Sequence, residues 1–482
     1  MTEIAEKMGG LKAALAQRNR AAINAAIRIL LEQNFDLGSQ WKALAAAAKQ
    51  NGEVALALRA MDRYAASRSE DPDVNFELAA LRAQLGQLGE AAAYLAKVPE
   101  TFPTPAGNAY TRGTIAANLG NWQIARDQLR RSTRLDHSSG QAWLALSMLP
   151  NLDEADRQAI HTIRPGFAEW PAQERSAWLY AKGRVAAEEN SHEAAFMAFS
   201  EGAQLMAAGR PYDHAKDQSD ADQATSGWAR ADIPEFVQSA AKPVLNRSIF
   251  VTGLPRSGTT LVEQILNCNS AVSGGDELGF FRLLHQDIGG RSFEAYQSYL
   301  SKGGTADKLK QLYHHLLDQR FPGQKLVVDK SLNLSRSMGL LAHLFPEAPI
   351  IWMRRDPIDC AWSCFQTWFL RGNNWSWSLD TIAEHFAIED RLLEFWQARI
   401  GSRLLVCDYG ELVRSPQDVI PRLADHCRIP FNRQMLSPHE SERIVTTASV
   451  AQVRKPINLL GLSTAAPYLD WLTPFTQTRD RH

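Results

Sequence analysis

The chain has 482 residues, of which 45% are hydrophobic and 22% are charged, and its 52 Lys and Arg residues nearly balance its 53 Asp and Glu residues, giving a formal net charge of −1. At roughly 100 to 200 residues per domain, this length predicts two to four domains. The near-neutral charge argues against a surface built throughout for nucleic acid or anionic membrane, but it is compatible with a local basic pocket.

The cysteine content and the amino-terminal segment predict the cellular compartment of the protein. The five cysteines are too few and too scattered for a disulfide framework, and Cys360 and Cys364 have no second close pair to complete a zinc site, so we expect reduced thiols. The amino-terminal segment lacks the apolar stretch of a signal peptide, and no run of about 18 apolar residues occurs. We therefore expect a cytoplasmic protein.

The first half of the chain contains a repeat. Glycines recur every 34 residues, and each is followed five positions later by an alanine: Gly52 and Ala57, Gly86 and Ala91, Gly120 and Ala125. A further copy spans residues 176–209, with Asn190 in the position of the turn glycine. Gly113 and Gly183 stand at the small positions of the repeat, where they let antiparallel helices approach closely, and Leu129 and Phe199 stand at large apolar positions, which fill the seam between hairpins. These segments resemble the tetratricopeptide repeat family, which implies stacked helix hairpins.

Such a solenoid either presents a concave face to a peptide or partner protein or serves as structural packing for an attached enzyme. The repeat pattern ends before a polar stretch. We therefore expect a tetratricopeptide-repeat helical domain at 1–209, a linker or connecting helical segment at 210–244, and an α/β domain at 245–482.

The first motif of the α/β domain is a glycine-rich loop. An apolar strand ends before Gly253, a tight loop reaches Gly258, and a helix begins at Thr259. Such a loop aims backbone N–H groups and the positive end of a helix at an anion. Thr259 stands where a nucleotide triphosphatase has the lysine that reaches the β- and γ-phosphates, whereas Arg256 offers a cationic fork for a smaller anion.

The loop sequence PRSGTT resembles that of the sulfotransferase family, and in particular its tyrosylprotein sulfotransferase-like branch. The resemblance implies a P-loop-like α/β fold with a mainly parallel sheet. It also implies that 3′-phosphoadenosine 5′-phosphosulfate donates a sulfuryl group and leaves as adenosine 3′,5′-bisphosphate, with no metal required. The donor residues that it implies in this loop are Arg256, Ser257, Gly258, Thr259 and Thr260.

A second motif follows the apolar strand that begins near Pro349. Sulfotransferases place an arginine and a serine eight residues apart after such a strand, so the resemblance implies that Arg355 and Ser363 hold the 3′-phosphate. The alternative is an exposed strand end at which the arginines pair with Asp356 or Asp359.

Two further strands, 325–330 and 403–409, end in candidate residues. By resemblance, Lys330 stabilises charge on the leaving phosphate and Tyr409 contacts the nucleotide; the alternatives are a surface lysine and a packed tyrosine. The carboxyl-terminal segment SVAQVRKPIN resembles an element of the same branch. That resemblance implies a hydrogen bond from Ser449 near the leaving group and a contact of Lys455 with donor phosphate.

Sulfuryl transfer needs a base that takes the proton of the acceptor hydroxyl. Glu277 lies 21 residues after Arg256, the spacing of the catalytic glutamate in the resembling branch, so we expect Glu277 to be the general base. Asp276 and the more distant His285 are competitors. Arg256, Lys330 and Ser449 would then stabilise the transition state.

The sequence indicates the acceptor of the sulfuryl group less clearly than the donor. Two arginines of the animal tyrosylprotein enzymes are replaced here by Gly279 and Thr367, which weakens the case for peptide tyrosine but leaves the donor assignment intact. The aromatic segment 368–377 either lines an acceptor cleft or packs in the core.

Three functions are therefore weighed. The first is a sulfotransferase that acts on a hydroxyl of a peptide, a protein or a small molecule. The alternatives are a P-loop nucleotide kinase, which Thr259 and the 3′-phosphate motif disfavour, and a catalytically inactive repeat scaffold that binds a partner protein.

Overall fold

A computed structural model describes residues 2–33, 35, 37–66, 68–164, 166–231, 247–323, 325–370, 372–440 and 455–481. Among these residues, no helix is long and apolar enough to cross a membrane. The part before residue 232 is helical. Its α-helices are α1 (Thr2–Ala16), α2 (Arg20–Glu32), α3 (Gln40–Gln50), α4 (Val54–Ala65), α5 (Pro72–Gln84), α6 (Leu88–Ala96), α7 (Pro105–Asn118), α8 (Trp122–Leu135), α9 (Gly140–Ser147), α10 (Glu154–His161), α11 (Ala172–Glu188), α12 (His192–Gly209) and α13 (His214–Thr225).

The part after residue 246 alternates strands with helices. Its strands are β1 (Ser248–Gly253), β2 (Val272–Gly274), β3 (Leu326–Asp329), β4 (Ile350–Arg354) and β5 (Leu404–Asp408). Its α-helices are α14 (Thr259–Asn267), α15 (Phe280–Ile288), α16 (Phe293–Ser301), α17 (Ala306–Asp318), α18 (Met338–Leu344), α19 (Pro357–Phe365), α20 (Leu379–Ile400), α21 (Tyr409–Arg414), α22 (Pro416–His426) and α23 (Thr473–Arg479). Short 3₁₀ helices lie at Phe167–Glu169, Leu332–Ser337, Asn374–Trp377, Gly401–Arg403, Arg433–Leu436, Pro438–Glu440, Leu459–Gly461 and Ala466–Leu472.

The helix hairpins predicted from the repeat are confirmed. The turn residues Gly52, Gly86 and Gly120 join α3 to α4, α5 to α6 and α7 to α8, with φ of 79°, 76° and 82°. Asn190 joins α11 to α12 with φ of 59°. Glycine adopts this left-handed conformation at no steric cost and asparagine tolerates it, which explains why these residue types recur at the turn.

The small residues of the repeat lie where helices touch. A Cβ atom on Gly113 would stand 2.7 Å from Leu129 Cγ, and one on Gly183 would stand 2.7 Å from Phe199 Cε1. The alanines that follow each turn are fully buried: Ala57, Ala91, Ala125 and Ala195. Close packing of the hairpins therefore accounts for the residue pattern, while membership of the tetratricopeptide family stays a prediction.

The five strands form one parallel sheet in the order β2-β3-β1-β4-β5. Every residue of the central strand β1 is buried, as expected for a parallel sheet covered on both faces. The four strand positions predicted from apolar runs are confirmed, whereas the short edge strand β2 was not predicted.

The chain forms two compact units whose boundaries are not those of the predicted domains. One unit comprises 1–108, 279–290 and 295–324, and the other comprises 109–278, 291–294 and 325–482. The division at 1–209, 210–244 and 245–482 stays a prediction.

In the first unit, helices from both parts of the sequence meet. Buried Glu53, in the turn before α4, accepts hydrogen bonds from Gln319 Nε2 at 3.1 Å and from Asn24 Nδ2 at 3.2 Å, and it pairs with His315 Nε2 at 3.0 Å. Arg20 forms a two-point ion pair with Asp287. The helical segment between β2 and β3 therefore packs on the amino-terminal hairpins within this unit.

In the second unit, a buried polar network anchors α13. Asp217 contacts Arg336 Nη2 and His385 Nδ1, each at 2.6 Å, and accepts a hydrogen bond from Tyr212 Oη at 2.7 Å. Arg336 also pairs with Glu389. Burial alone would raise the pKa of Asp217, but the hydrogen bond and charge of His385 and the charge of Arg336 outweigh it and hold that pKa well below its usual range. The connecting segment is therefore fixed to α20 and to the turn after β3.

We expect Asp217→Ala to lower the free energy of unfolding by about 3 kcal/mol, because it leaves His385 and one side of Arg336 without their buried carboxylate. Urea denaturation at pH 7 measures this loss. Asp220→Ala, on the same helix in an exposed pair with Lys216, is the matched control and should change little.

The free energy of unfolding that is lost in Asp217→Ala should also depend on pH. The folded-state pKa of Asp217 is lowered, so its stabilisation is complete above the unfolded-state pKa of about 3.9 and is lost as the pH falls below it. A difference between Asp217→Ala and the parent chain that stays constant down to pH 3 would contradict this role.

Candidate functional site

The predicted site residues follow the carboxyl ends of the strands. Because all strands are parallel, these ends lie at one edge of the sheet. Each of the five strands is followed there by one predicted residue: Glu277 after β2, Lys330 after β3, Arg256 after β1, Arg355 after β4 and Tyr409 after β5.

The loop between β1 and α14, residues 254–258, has the shape of an anion cradle, and we call it the phosphate loop after the group predicted to bind there. Gly253 and Gly258 have φ of 139° and 105°, and Arg256 has φ of 68°. A Cβ atom on Gly258 would stand 2.6 Å from the Tyr409 ring, so close approach as well as conformation requires glycine there. Ser257 is 1% exposed and its Oγ has no hydrogen-bond partner among the described residues. A buried hydroxyl without a partner in such a loop fits a polar ligand.

A cavity of about 330 Å³ opens beside this loop, within the size range of small-molecule sites. We name it the central cavity. It is lined by eight of the nine residues predicted to bind the donor: Arg256, Gly258, Thr259, Thr260, Arg355, Ser363, Tyr409 and Lys455. The ninth, Ser257, lies in the loop itself but not among the residues that line the cavity.

Two arginines meet at the wall of the central cavity. Arg256 Nε donates a hydrogen bond to Ser363 Oγ at 3.0 Å, and Arg355 Nη1 donates one to the Arg256 carbonyl at 2.9 Å. Burial lowers the pKa of the Arg256 guanidinium, and the positive charges of Arg355 and Arg184 lower it further, although the thiols of Cys364 and Cys360 act in the opposite direction. This wall therefore concentrates positive charge on two half-buried arginines.

Arg355 is oriented by a segment that sequence reasoning missed. Its Nη2 donates hydrogen bonds to the Gly461 carbonyl at 2.6 Å and to Thr464 Oγ1 at 3.2 Å, and its guanidinium lies 5.2 Å from the centre of the Tyr409 ring. The carboxylate of Asp359 in turn accepts hydrogen bonds from backbone N–H groups on either side of Thr464. No local pattern marks residues 461–465, because they reach the site only through the fold.

The alternative explanation for the arginines after β4 is not what the structure shows. Arg354 pairs with Asp390 at 3.0 Å. Asp356 caps α19 by accepting the Asp359 N–H, and the Asp359 carboxylate binds backbone groups. Within the described part of the chain, neither aspartate pairs with an arginine, and Arg355 lines the central cavity.

Glu277 and Lys330 form a pair at the other side of the loop. Glu277 Oε1 lies 3.5 Å from Lys330 Nζ; the glutamate is 54% exposed and the lysine 1%. Lys330 is therefore not the surface lysine of the alternative explanation. Two other residues compete for the role of general base. The Asp276 backbone N–H donates a hydrogen bond to Glu263, and His285 Nδ1 lies 3.0 Å from the Gly290 carbonyl oxygen. Ser449 lies outside the described residues.

Helix α14 holds the loop that carries Glu277. The Glu263 side chain is 0% exposed, and its Oε1 accepts the Asp276 N–H at 2.7 Å, while Asn267 Oδ1 accepts the Gly274 N–H at 3.0 Å. The Asp276 carbonyl accepts the Lys330 N–H at 3.0 Å. One helix thus begins at the phosphate loop and fixes the backbone beside Glu277.

The aromatic side chains of the segment 368–377 lie in the core or pack against it. Trp375 and Trp377 are 5% and 3% exposed. Trp368 Nε1 donates a hydrogen bond to Ser176 Oγ at 3.1 Å. Of the two explanations for this segment, core packing is the one observed.

We expect Glu263→Ala to lower the free energy of unfolding by about 2 kcal/mol, because it removes a buried acceptor and leaves a small cavity. Glu263→Gln keeps an oxygen at that position and should lose less than half as much. Urea denaturation compares the two variants; equal losses would show that the negative charge, not the hydrogen bond to Asp276, is what matters.

Comparisons with known proteins agree with this geometry. Residues 248–433 match the model of the sulfotransferase family, so the carboxyl-terminal region of the chain carries a sulfotransferase domain. Among the described residues, no group of three or more His, Cys, Asp or Glu side chains could hold a metal ion.

Two curated relatives match different lengths of this chain. An "Uncharacterized protein" of Aquifex aeolicus is 26% identical over 399 residues, which are 80% of this chain and 52% of that protein, so the chain spans about half the length of this relative. A protein of Caenorhabditis briggsae with the name "Putative protein-tyrosine sulfotransferase" is 22% identical over 203 residues, 40% of this chain and 69% of that protein.

Among solved structures, the sulfotransferase domain of the Synechococcus PCC 7002 olefin synthase is 23% identical with a TM-score of 0.34, covering 51% of this chain and 98% of that one. The sulfotransferase STF9 of Mycobacterium avium is 16% identical with a TM-score of 0.27, covering 72% of this chain and 97% of that one.

Proposed function

We propose that the chain transfers the sulfuryl group of 3′-phosphoadenosine 5′-phosphosulfate to an acceptor hydroxyl. The observation that carries this proposal is the central cavity, where the phosphate loop, Arg355, Ser363, Tyr409 and Lys455 converge. The donor carries phosphate at two ends, and the cavity offers cationic or hydroxyl groups from four separate segments.

The residues present suit such a donor. The amino terminus of α14 and the hydroxyls of Thr259 and Thr260 would hold the 5′-phosphosulfate. Arg355 and Ser363 would hold the 3′-phosphate; Arg355 Nε is buried and has no hydrogen-bond partner among the described residues, so it retains a donor for that group. Tyr409 presents an aromatic face and Lys455 a further cation at the wall of the cavity.

In the transfer step, the Glu277 carboxylate takes the proton of the acceptor hydroxyl. The acceptor oxygen forms a bond to sulfur while the bond between sulfur and the 5′-phosphate oxygen breaks, and that oxygen leaves with the electron pair as part of adenosine 3′,5′-bisphosphate. Arg256 and Lys330 would stabilise the charge that develops on the leaving phosphate. Ser449, which is outside the described residues, is proposed for the same task. The reaction as written needs no metal ion.

A hydroxyl of a peptide, a protein or a small molecule could serve as the acceptor. Protein tyrosine is one class to test, because the Caenorhabditis briggsae relative carries that activity in its name. Gly279 and Thr367, in place of two arginines of the animal enzymes, favour testing other hydroxyls in parallel. We also propose that the helix hairpins are tetratricopeptide repeats that bind a partner protein or support the enzyme, and that the protein acts in the cytoplasm.

Nucleotide binding separates this proposal from a P-loop kinase. We expect adenosine 3′,5′-bisphosphate to bind in the absence of Mg²⁺ and ATP not to be turned over, because Thr259 replaces the lysine that a kinase directs at the β- and γ-phosphates. Calorimetry with each nucleotide, with and without Mg²⁺, measures this. ATP hydrolysis or phosphoryl transfer that requires Mg²⁺ would overturn the proposal.

Glu277→Gln tests the base. We expect it to reduce sulfuryl transfer by about 10²- to 10⁴-fold, the usual contribution of a general base, and to leave the affinity for adenosine 3′,5′-bisphosphate unchanged. Transfer of labelled sulfate from the donor to host-lysate acceptors is the measurement. Asp276→Asn is the matched control, since Asp276 is the neighbouring carboxylate and should keep most activity.

The two variants also separate the alternatives. Loss of sulfuryl transfer in Asp276→Asn but not in Glu277→Gln would identify Asp276, and not Glu277, as the general base. A parent chain that transfers sulfate to no acceptor would favour the inactive scaffold.

A further inference from the structure

Residues 461–465, which we name the bracing segment, form part of the wall of the central cavity. Gly461 and Thr464 line the cavity. A Cβ atom on Gly461 would collide with Tyr409 Oη, so only glycine lets the backbone pass there. Of the five residues of the segment, Ala465 is buried, Ser463 is exposed and the other three are half-buried. Burial of apolar surface therefore contributes little to the position of the segment.

The carboxylate of Asp359 holds the bracing segment in place. Asp359 lies in the first turn of α19 and is 5% exposed. Its Oδ2 accepts the Ser463 N–H at 2.7 Å, and its Oδ1 accepts the Ala465 N–H at 2.9 Å and the Thr464 hydroxyl at 3.3 Å. Ser463 has φ of 56°, a conformation that is unfavourable for a residue other than glycine. One carboxylate thus fixes three consecutive residues.

The Thr464 hydroxyl connects Asp359 to Arg355. A hydroxyl has one hydrogen to donate and two lone pairs that accept, whereas a carboxylate only accepts. The Thr464 hydrogen therefore points to Asp359, and a lone pair of the same oxygen accepts Arg355 Nη2 at 3.2 Å. The Gly461 carbonyl accepts the same Nη2 at 2.6 Å. Both acceptors belong to the bracing segment, so Asp359 orients the guanidinium without touching it.

These contacts determine which N–H groups of Arg355 are left for a ligand. Nη2 donates to the bracing segment and Nη1 donates to the Arg256 carbonyl at 2.9 Å, while Nε has no hydrogen-bond partner among the described residues. Bonds from a guanidinium to a phosphate are directional, because its N–H groups lie in one plane. A guanidinium that is already oriented loses less conformational freedom when the phosphate binds.

We propose that Asp359 is a positioning residue for the sulfuryl donor, which orients Arg355 toward the 3′-phosphate through the bracing segment. In the sequence, Asp359 is a possible ion-pair partner of the arginines after β4. In the structure it acts on Arg355 indirectly, through Thr464 and Gly461. The proposal rests on the proposed function, since that function assigns the 3′-phosphate to Arg355.

The test measures the affinity of the full chain for two nucleotides by calorimetry. Asp359→Asn keeps the size of the side chain but replaces one acceptor oxygen by an N–H₂ group, which cannot accept from the segment. We expect it to weaken binding of adenosine 3′,5′-bisphosphate by about tenfold and to leave binding of adenosine 5′-monophosphate unchanged. In transfer assays, the KM for the donor should rise by a similar factor while kcat changes less.

Two variants of Thr464 test the hydroxyl that joins Asp359 to Arg355. Thr464→Val keeps the shape of the side chain without the hydroxyl, and it should weaken adenosine 3′,5′-bisphosphate selectively, as Asp359→Asn does. Thr464→Ser keeps the hydroxyl and should retain most of the affinity of the parent chain. Equal affinities of the two Thr464 variants would contradict the role of the hydroxyl.

A double variant tests whether Asp359 acts through Arg355. Arg355→Ala should lower the ratio of the affinities for adenosine 3′,5′-bisphosphate and adenosine 5′-monophosphate. Asp359→Asn added to Arg355→Ala should lower this ratio no further, because the side chain that it orients is already gone. A further fall in the ratio would show that Asp359 acts independently of Arg355.

Asp380→Asn is the matched control. The Asp380 carboxylate accepts the Thr478 hydroxyl at 2.7 Å, so it also holds a carboxyl-terminal residue, but neither residue lines the central cavity. This variant should bind both nucleotides as the parent chain does. Urea denaturation checks that every variant is folded. If Asp359→Asn does not fold, the comparison of Thr464→Val with Thr464→Ser decides.

The outcomes distinguish the two proposals. If the parent chain binds adenosine 3′,5′-bisphosphate and Asp359→Asn binds it equally well, the role of Asp359 is wrong and the proposed function stands. If Asp359→Asn weakens both nucleotides equally, Asp359 does not act on the 3′-phosphate and its role is again wrong. If the parent chain does not bind adenosine 3′,5′-bisphosphate, the proposed function fails and the role of Asp359 fails with it.

Discussion

The site depends on the parallel register of β1 between β3 and β4. Gly253, the last residue of β1, pairs with Met353 near the end of β4, and Phe250 pairs with Asp329, the last residue of β3, so the carboxyl ends of the three strands lie near one another at one edge of the sheet. The residues that follow them are then delivered to one edge of the sheet, where backbone N–H groups and the start of α14 also point. A shift in this register would separate the phosphate loop from Arg355 and from Lys330.

This arrangement places positive charge on partly or fully buried side chains, which is unfavourable. The chain has a net charge of only −1, yet Arg256 and Arg355 share one wall of the central cavity, and Lys330 is almost fully buried. Burying cations is unfavourable unless anions or hydrogen bonds compensate. Backbone carbonyls and hydroxyls compensate in part, as Gly461 and Thr464 do for Arg355. A phosphate-bearing ligand would complete the compensation, which connects the electrostatics to the proposed function.

Helices α8 to α13, which precede β1, belong to the same compact unit as the sheet. Tyr180 and Ser176 on α11 contact α19 and the segment after it, and Asp217 on α13 joins a buried network with Arg336 and His385. Polar bonds of this kind fix one relative position of the helices, because each has a defined geometry and leaves a buried group unpaired when it is broken. The repeat pattern predicted the hairpins correctly but gave no sign that their side chains would meet these partners.

The sequence by itself determined the local structure and most candidate residues. Apolar runs marked four strands, the spacing of glycines marked the phosphate loop and the hairpin turns, and polar residues at strand ends marked Arg256, Lys330 and Arg355. These features are local, since strand burial and turn conformation depend on neighbouring residues. Only the tertiary structure decided which distant groups meet: Thr464 with Arg355, Glu263 with the loop before Glu277, and Arg256 with Ser363. Such contacts join segments tens or hundreds of residues apart, and helix packing sets them, so no local pattern could predict them.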